Sequence, residues 1–226
     1  MNKLLIIFGL LISVSLSSCI EITDDITINA DGSGLFKYTI NLSESKVKVN
    51  SLLALDSIEG KKVPTLAEIE SKIGEFKKIL ASKPGISNVK IEADFTNFIF
   101  KLTCNFSNVN TLQSVVKEVI KEISNEKNIA ELEAVWLKWD GQKIERSIPD
   151  ITIKKSKEFK TEDIEQLKKG KYTSISRFAK PIEKCSNPTG VISKNKLATM
   201  VQTNIYSLTK NPKLLENTIY LFPNKN

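Results

Sequence analysis

The stretch ITINADGSGLFKYTINL, residues 26–42, constrains the fold of this chain more than any other. Ile26, Ile28 and Ala30 alternate with polar residues. Beyond Asp31-Gly32-Ser33-Gly34, the residues Phe36, Tyr38, Ile40 and Leu42 alternate again. A period of two puts each set of side chains on one face of a strand, so the segment reads as a β-hairpin with one buried face. Asp31-Gly32 and Gly34 supply backbone that tolerates positive φ. Two chemical readings of the same residues fail on spacing. If Gly32 is the glycine of an EF-hand loop, the first and last ligand positions fall on Thr27 and Tyr38, and neither is acidic. A phosphate cradle wants a helix after its glycines, and here a strand follows. The turn reading remains.

A second stretch carries the same pattern. FKYTINLS (36–43) and FKLTCNFS (100–107) share Phe-Lys-x-Thr-x-Asn-x-Ser, and Ile28-x-Ala30-Asp31 matches Ile91-x-Ala93-Asp94. Two readings stand: an internal hairpin repeat, or chance agreement between two alternating strands. Each hairpin leads toward a helix. Ser43 or Ser45 can cap a short one reaching Leu52, Leu53 and Leu55. Thr65-x-x-Glu68 after Pro64 is a capping box. Leu66, Ile69, Ile73, Phe76 and Leu80 then keep helical spacing until Lys83-Pro84-Gly85 stops it. Asn110 or Thr111 opens a helix with Leu112, Val115, Val116, Val119, Ile120 and Ile123 on one face. Asp140-Gly141 marks a third hairpin, flanked by Trp136 and Trp139. The last third reads as a helix after Thr161, strand through KYTSISRFAKPIEK, the turn SNPTG, a strand near Leu197–Gln202, a short helix near Pro212–Glu216 and a last strand TIYLF. The expected class is α+β: an antiparallel sheet built from β-hairpins with helices packed on one face, the hairpin–helix repeat being one of the two readings above.

The N-terminus belongs to none of this. Lys3 precedes the apolar run Leu4–Val14 and then SLSSC, the order of a secretory leader. The run is short for a permanent bilayer span. Leu16-Ser17-Ser18-Cys19 resembles the lipobox of bacterial lipoproteins. That resemblance implies cleavage before Cys19, a diacylglycerol on its thiol and an acyl chain such as palmitate on its amine, which together anchor stably. The expected layout is a leader over 1–18, a short lipid tether over 19–25 and a single α+β domain over 26–226. Ile20, and not Asp, follows the cysteine. By resemblance this implies the outer membrane, or the outer face of the cell membrane in phyla that sort differently.

Composition removes many chemistries. There is no histidine, hence no histidine base or metal ligand. Three cysteines, one of them Cys19, do not make a zinc ribbon. Arg146 and Arg177 are the only arginines, which argues against nucleic acid although the net charge is +7. The lysine runs KKSKEFK (154–160) and KKGK (168–171) read as solvated surface, or as attraction to anionic lipid or glycan.

What is left for chemistry is thin. Cys104 reads as a small buried hydrophobe. Export also permits a disulfide between Cys104 and Cys185. Ser-x-x-Lys recurs at Ser43–Lys46, Ser114–Lys117 and Ser193–Lys196 without partner motifs. Asp24/Asp25 and Glu131/Glu133 read as solvated acids. Trp136 and Trp139 read as packing residues, or as stacking platforms for sugar or partner. A lipidated cysteine leading into a strand, Asp-Gly-Ser-Gly and a second strand is similar to the start of LppM-like bacterial lipoproteins. That resemblance implies an α+β domain outside the cytoplasmic membrane in a family linked to lipid binding. The sequence therefore points to a non-enzymatic envelope lipoprotein with no cofactor. It is held to the membrane by its N-terminal lipid, as a membrane-proximal module for an amphiphile ligand or as a subunit of an envelope assembly. The alternative is an exported hydrolase using carboxylates or a Ser-Lys pair.

Overall fold

The computed structural model of the protein describes residues 20–58, 60–124, 135–148 and 168–223. The leader, Cys19, Glu131 and Glu133, the lysine run 154–160 and the helix expected after Thr161 lie outside the described residues.

The hairpin read from residues 26–42 is present. β1 (Glu21–Ile28) pairs antiparallel with β2 (Gly34–Asn41), Ile26 opposite Phe36. Asp31 Oδ1 accepts the Ser33 N–H at 3.0 Å and the Ser33 hydroxyl at 2.7 Å, and Gly32 sits at φ +83°. These bonds from Ser33 hold the Asp31 carboxyl below its ordinary value. The aspartate is spent on building the turn. After a 3-10 turn at Ser43–Ser45 come α1 (Lys46–Leu53) and a small ribbon, β3 (Ser57–Ile58) with β4 (Lys61–Lys62). α2 (Leu66–Ala81) starts on the expected capping box of Thr65 and Glu68. β5 (Ile86–Asp94) and β6 (Ile99–Phe106) form the second hairpin, followed by α3 (Val109–Ser124). β7 (Leu137–Trp139) and β8 (Lys143–Arg146) form the third, turning at Gly141 with φ +91°. The chain continues through β9 (Lys171–Phe178), β10 (Ile182–Cys185), β11 (Val191–Ile192) and β12 (Ala198–Asn204). It then passes α4 (Ile205–Lys210) and a 3-10 turn at Pro212–Leu215 and ends in β13 (Asn217–Leu221).

The strands make two main sheets. The larger runs β11-β12-β9-β1-β2-β6-β5 and the smaller β10-β13-β8-β7. All pairs are antiparallel except β1 with β9. One core joins Ile26, Ile28 and Phe178 of the large sheet to Leu137, Ile144, Ile182, Ile219 and Leu221 of the small one. α2 lies on β5, and α3 lies on β6 and β7. The class is α+β as expected. The sequence reading did not contain the second sheet, which shares the task of covering the large one with the helices.

β2 and β6 are neighbours and antiparallel, with Phe36 opposite Cys104, Tyr38 opposite Leu102 and Ile40 opposite Phe100. The two similar stretches thus lie side by side, related by a local two-fold axis that passes between Tyr38 and Leu102. The likeness stops at these strands. Ala30 and Asp31 lie in a turn, whereas Ala93 and Asp94 are paired strand residues. α1 has no buried residue, whereas α3 puts Val109, Leu112, Val115 and Val119 into the core. A hairpin–helix repeat is not what the structure shows.

One transverse row fixes an end of the large sheet: Asn204, Lys171, Glu21, Asn41, Ile99 and Asp94 stand opposite one another in turn. From this end emerge the N-terminal Ile20, the chain before Lys171, α4, and the excursion from Leu42 through α1 and the β3–β4 ribbon. Backbone bonds stitch it together: Lys171 N–H to the Ile20 carbonyl at 2.8 Å, Leu42 N–H to Phe98 at 3.0 Å and Ile205 N–H to Gly170 at 2.9 Å.

Candidate functional site

The inward alternation of β1 places Ile22, Asp24, Ile26 and Ile28 on the face toward the small sheet. Asp24 is therefore buried, with 2% of its surface exposed. Arg146 at the end of β8 reaches it from the other sheet. Arg146 Nη2 donates to Asp24 Oδ1 at 2.9 Å and Nη1 to Oδ2 at 3.3 Å, a two-pronged pairing. The Ser174 hydroxyl, opposite Asp24 on β9, donates to Oδ1 at 3.0 Å and itself accepts from Arg146 Nη1. Burial works against the Arg146 charge, and the Asp24 carboxylate outweighs it, so its pKa rises. The phenols of Tyr172 and Tyr38 are pushed up by burial first and then by the Asp24 charge. Both carboxylate oxygens are committed. What this arrangement does chemically is lock two sheets together. Asp24 is not the solvated acid that its sequence context suggested. On the opposite face, Asp25 accepts from Arg177 Nε at 3.0 Å. The two arginines of the chain thus both serve the Asp24-Asp25 pair.

Beside this lock lies an inter-sheet cavity of about 20 Å³, lined by Ile26, Leu137, Ile144, Ser176, Thr199 and Ile219 among others. Thr199 is 3% exposed and its Oγ1 has no partner. Such a space takes about one water, and small-molecule sites begin near 300 Å³. It does not accommodate an acyl chain.

The remaining candidates resolve into structural roles. Cys104 and Cys185 are both free thiols, so the bridge allowed by the sequence is not formed. Cys104 is buried on β6 and belongs to the core. Cys185 closes β10 of the other sheet, with its sulfur 3.9 Å from the Asn187 carbonyl oxygen and 3.8 Å from that of Gly190. Burial pushes the Cys104 thiol up to about 11. The Ser193 hydroxyl bonds Asn195 Oδ1 at 2.6 Å and accepts the Ala198 N–H at 3.0 Å, so Ser193–Lys196 belongs to a turn. Trp139 stacks on Phe178 with ring centres 6.2 Å apart, and Trp136 packs against the core. Among the described residues no three carboxylates or cysteines gather as a metal site. Among them, too, no helix is long and apolar enough to cross a membrane.

Sequence reasoning missed Arg146, Ser174 and Gln113. The Gln113 amide oxygen on α3 accepts the N–H groups of Trp136 at 2.7 Å and Leu137 at 2.9 Å, holding the edge strand β7. Only Asp24 left a signal, an acid at an inward position of an alternating strand.

The start of the fold is also sharper than expected. Glu21–Asp25, expected as tether, forms the first five residues of β1, and the Ile20 carbonyl is already bonded to Lys171. One residue, Ile20, separates β1 from Cys19.

No protein-family model matches the chain. No curated protein matches it either. Among solved structures, the folded domain of LppM from Mycobacterium tuberculosis, determined by NMR, shows a weak structural resemblance. It is 6% identical, the alignment covers 93% of this chain and 94% of that one, and the TM-score is 0.40.

Proposed function

We propose that this chain is a non-enzymatic bacterial envelope lipoprotein. It is anchored through acyl chains on Cys19 to the outer membrane or the outer face of the cell membrane, and its domain works at the membrane surface as a binding module. The observation that carries this reading is the bond from Lys171 to the Ile20 carbonyl. Successive Cα atoms are about 3.8 Å apart, so a lipid on Cys19 leaves the sheet no room to stand off from the headgroups. The amphiphiles within reach are then those of the bilayer itself, which suits a cavity with space for one water and a mature chain of net charge +6, the full chain's +7 less Lys3 of the leader.

The test is metabolic labelling with a fatty acid, followed by membrane fractionation, for the wild type and Cys19→Ser. The expected result is label and membrane pelleting in the wild type and neither label nor cleavage at residue 19 in the variant. Fatty-acid label retained by Cys19→Ser overturns the reading.

A further inference from the structure

The excursion between β2 and α2 has no counterpart in the core. α1 has no buried residue, and both strands of the β3–β4 ribbon are exposed. Yet it is apolar. Of the nine large hydrophobic side chains that stand exposed among the described residues, five fall between 47 and 66. Val47 is 65% exposed, Leu55 49%, and Leu52 and Ile58 39% each. Exposed apolar side chains gathered in one segment, and not scattered singly over the surface, mark a contact surface.

Its position says what the contact is. The transverse row of paired residues puts Glu21 opposite Asn41, so the excursion leaves the sheet at the end where Ile20 enters it. On the excursion Lys46, Lys48, Lys61 and Lys62 outnumber Glu44, Asp56 and Glu59, and Lys171 at the start of β9 and Lys210 at the end of α4 share that end. Exposed Leu, Ile and Val beside lysines is the composition of segments that lie in the headgroup layer, apolar groups inserted and ammonium groups among the phosphates.

We infer that the excursion, through Val47, Leu52, Leu55 and Ile58, is a second membrane contact that seats this end of the sheet on an anionic bilayer. The inference rests on the anchored-lipoprotein reading for its setting. It adds an orientation: the transverse row faces the lipid, and the turn at Asn29–Ser33 faces away. Lipid on Cys19 alone would leave the domain free to swivel. Two contacts at one end fix it.

The test uses the full chain on vesicles of brominated phosphatidylcholine with phosphatidylglycerol, which quench tryptophan by contact. Leu55→Trp places a reporter on the excursion and Ala30→Trp one at the far end, with Trp136 and Trp139 of the wild type as background. The expected result is quenching of Leu55→Trp beyond background and none for Ala30→Trp. Lys48→Gln and Lys61→Gln should each lower the ratio of engaged to disengaged excursion about fivefold on these vesicles. Acylated protein seated on vesicles with Leu55→Trp unquenched overturns the inference and leaves the anchor intact. Quenching of Leu55→Trp in protein that carries no fatty acid sinks the anchor and supports the inference. A blue-shifted Leu55→Trp without vesicles, in protein that sediments as a dimer, also overturns it, because a second copy would then cover the surface.

Discussion

Asp24 and Arg146 stand 122 residues apart in sequence and 2.9 Å apart in space, one in each sheet. Neither charge has water as its main partner. Removing one partner of such a pair strands the other, at a cost of about 3–5 kcal/mol, whereas replacing both by apolar groups is often neutral or stabilising. Arg146→Met should therefore destabilise the protein by about 3–5 kcal/mol in urea denaturation. Asp24→Leu combined with Arg146→Met should recover most of that loss. A single variant as stable as wild type would mean that Ser174 and the neighbouring Tyr172 phenol hold the Asp24 charge without Arg146.

This pair also shows which parts of the fold could be read from sequence. The first and second hairpins, the Thr65–Glu68 capping box and the turn at Gly141 were legible because each is decided within about a dozen residues by periodicity and turn chemistry. The parallel pairing of β1 with β9, in which Ile28 stands opposite Phe178, carries no local signal. Nor does the second sheet, whose strands come from three separate parts of the chain. The helix after Ser43 was legible as a helix. Its failure to pack was not, because Leu52 and Leu55 look like core residues until the faces of the sheets are known to be covered by other elements. The buried lock was invisible for the same reason: an acid on a strand is solvated unless something 122 residues away meets it.

The Asp31-Gly32-Ser33-Gly34 turn has a sharper requirement than positive φ. A Cβ on Gly34 would stand 1.9 Å from the Thr27 carbonyl oxygen and 2.4 Å from the Phe106 ring. The ring can shift a little. The carbonyl cannot, because β1 holds it in register. Gly34→Ala should cost at least the 1–3 kcal/mol typical of overpacking, read as a lower urea midpoint with the same slope. An unchanged midpoint would show that the hairpin opens at this turn without penalty.

Glu68 gives a pH dependence with a definite sign. Lys62 donates to its carboxylate at 2.7 Å, and the Thr65 N–H does so at 2.7 Å. Lys62 first, and then Thr65, lower its pKa from 4.5 to about 2. A lowered folded value means that its contribution to α2 is complete above about pH 4.5 and is lost as pH falls through about 2. Glu68 and Lys62 are exposed, so added salt should move the Glu68 value back toward 4.5. A carboxyl-carbon NMR titration reads both effects. Glu68→Gln should keep the helix start and abolish this acid-side step in the α2 amide signals. A Glu68 carboxyl titrating at its ordinary value in low salt would refute the capping-box account.

The two free thiols should part company in reactivity. The thiolate is the reacting species, so a thiol that is both covered and hard to ionise reacts slowly. Cys104 is 1% exposed and its pKa is raised from 9.0 to about 11 by burial. Cys185 is half-buried at the end of β10, against the Asn187–Gly190 turn. Alkylation with iodoacetamide at pH 8, mapped by peptide mass spectrometry, should modify Cys185 in the native protein and Cys104 only after unfolding in urea. The same burial carries a stability consequence. A folded value raised above the unfolded one favours the folded state fully below about pH 9, and that preference is lost as pH rises through about 11. Cys104→Ala should remove this alkaline loss, at the cost of a small cavity among Phe106, Val109 and their neighbours. Native-state alkylation of Cys104 as fast as that of Cys185 would show that β6 separates from the helices above it, and with that the single core described for this chain would no longer stand.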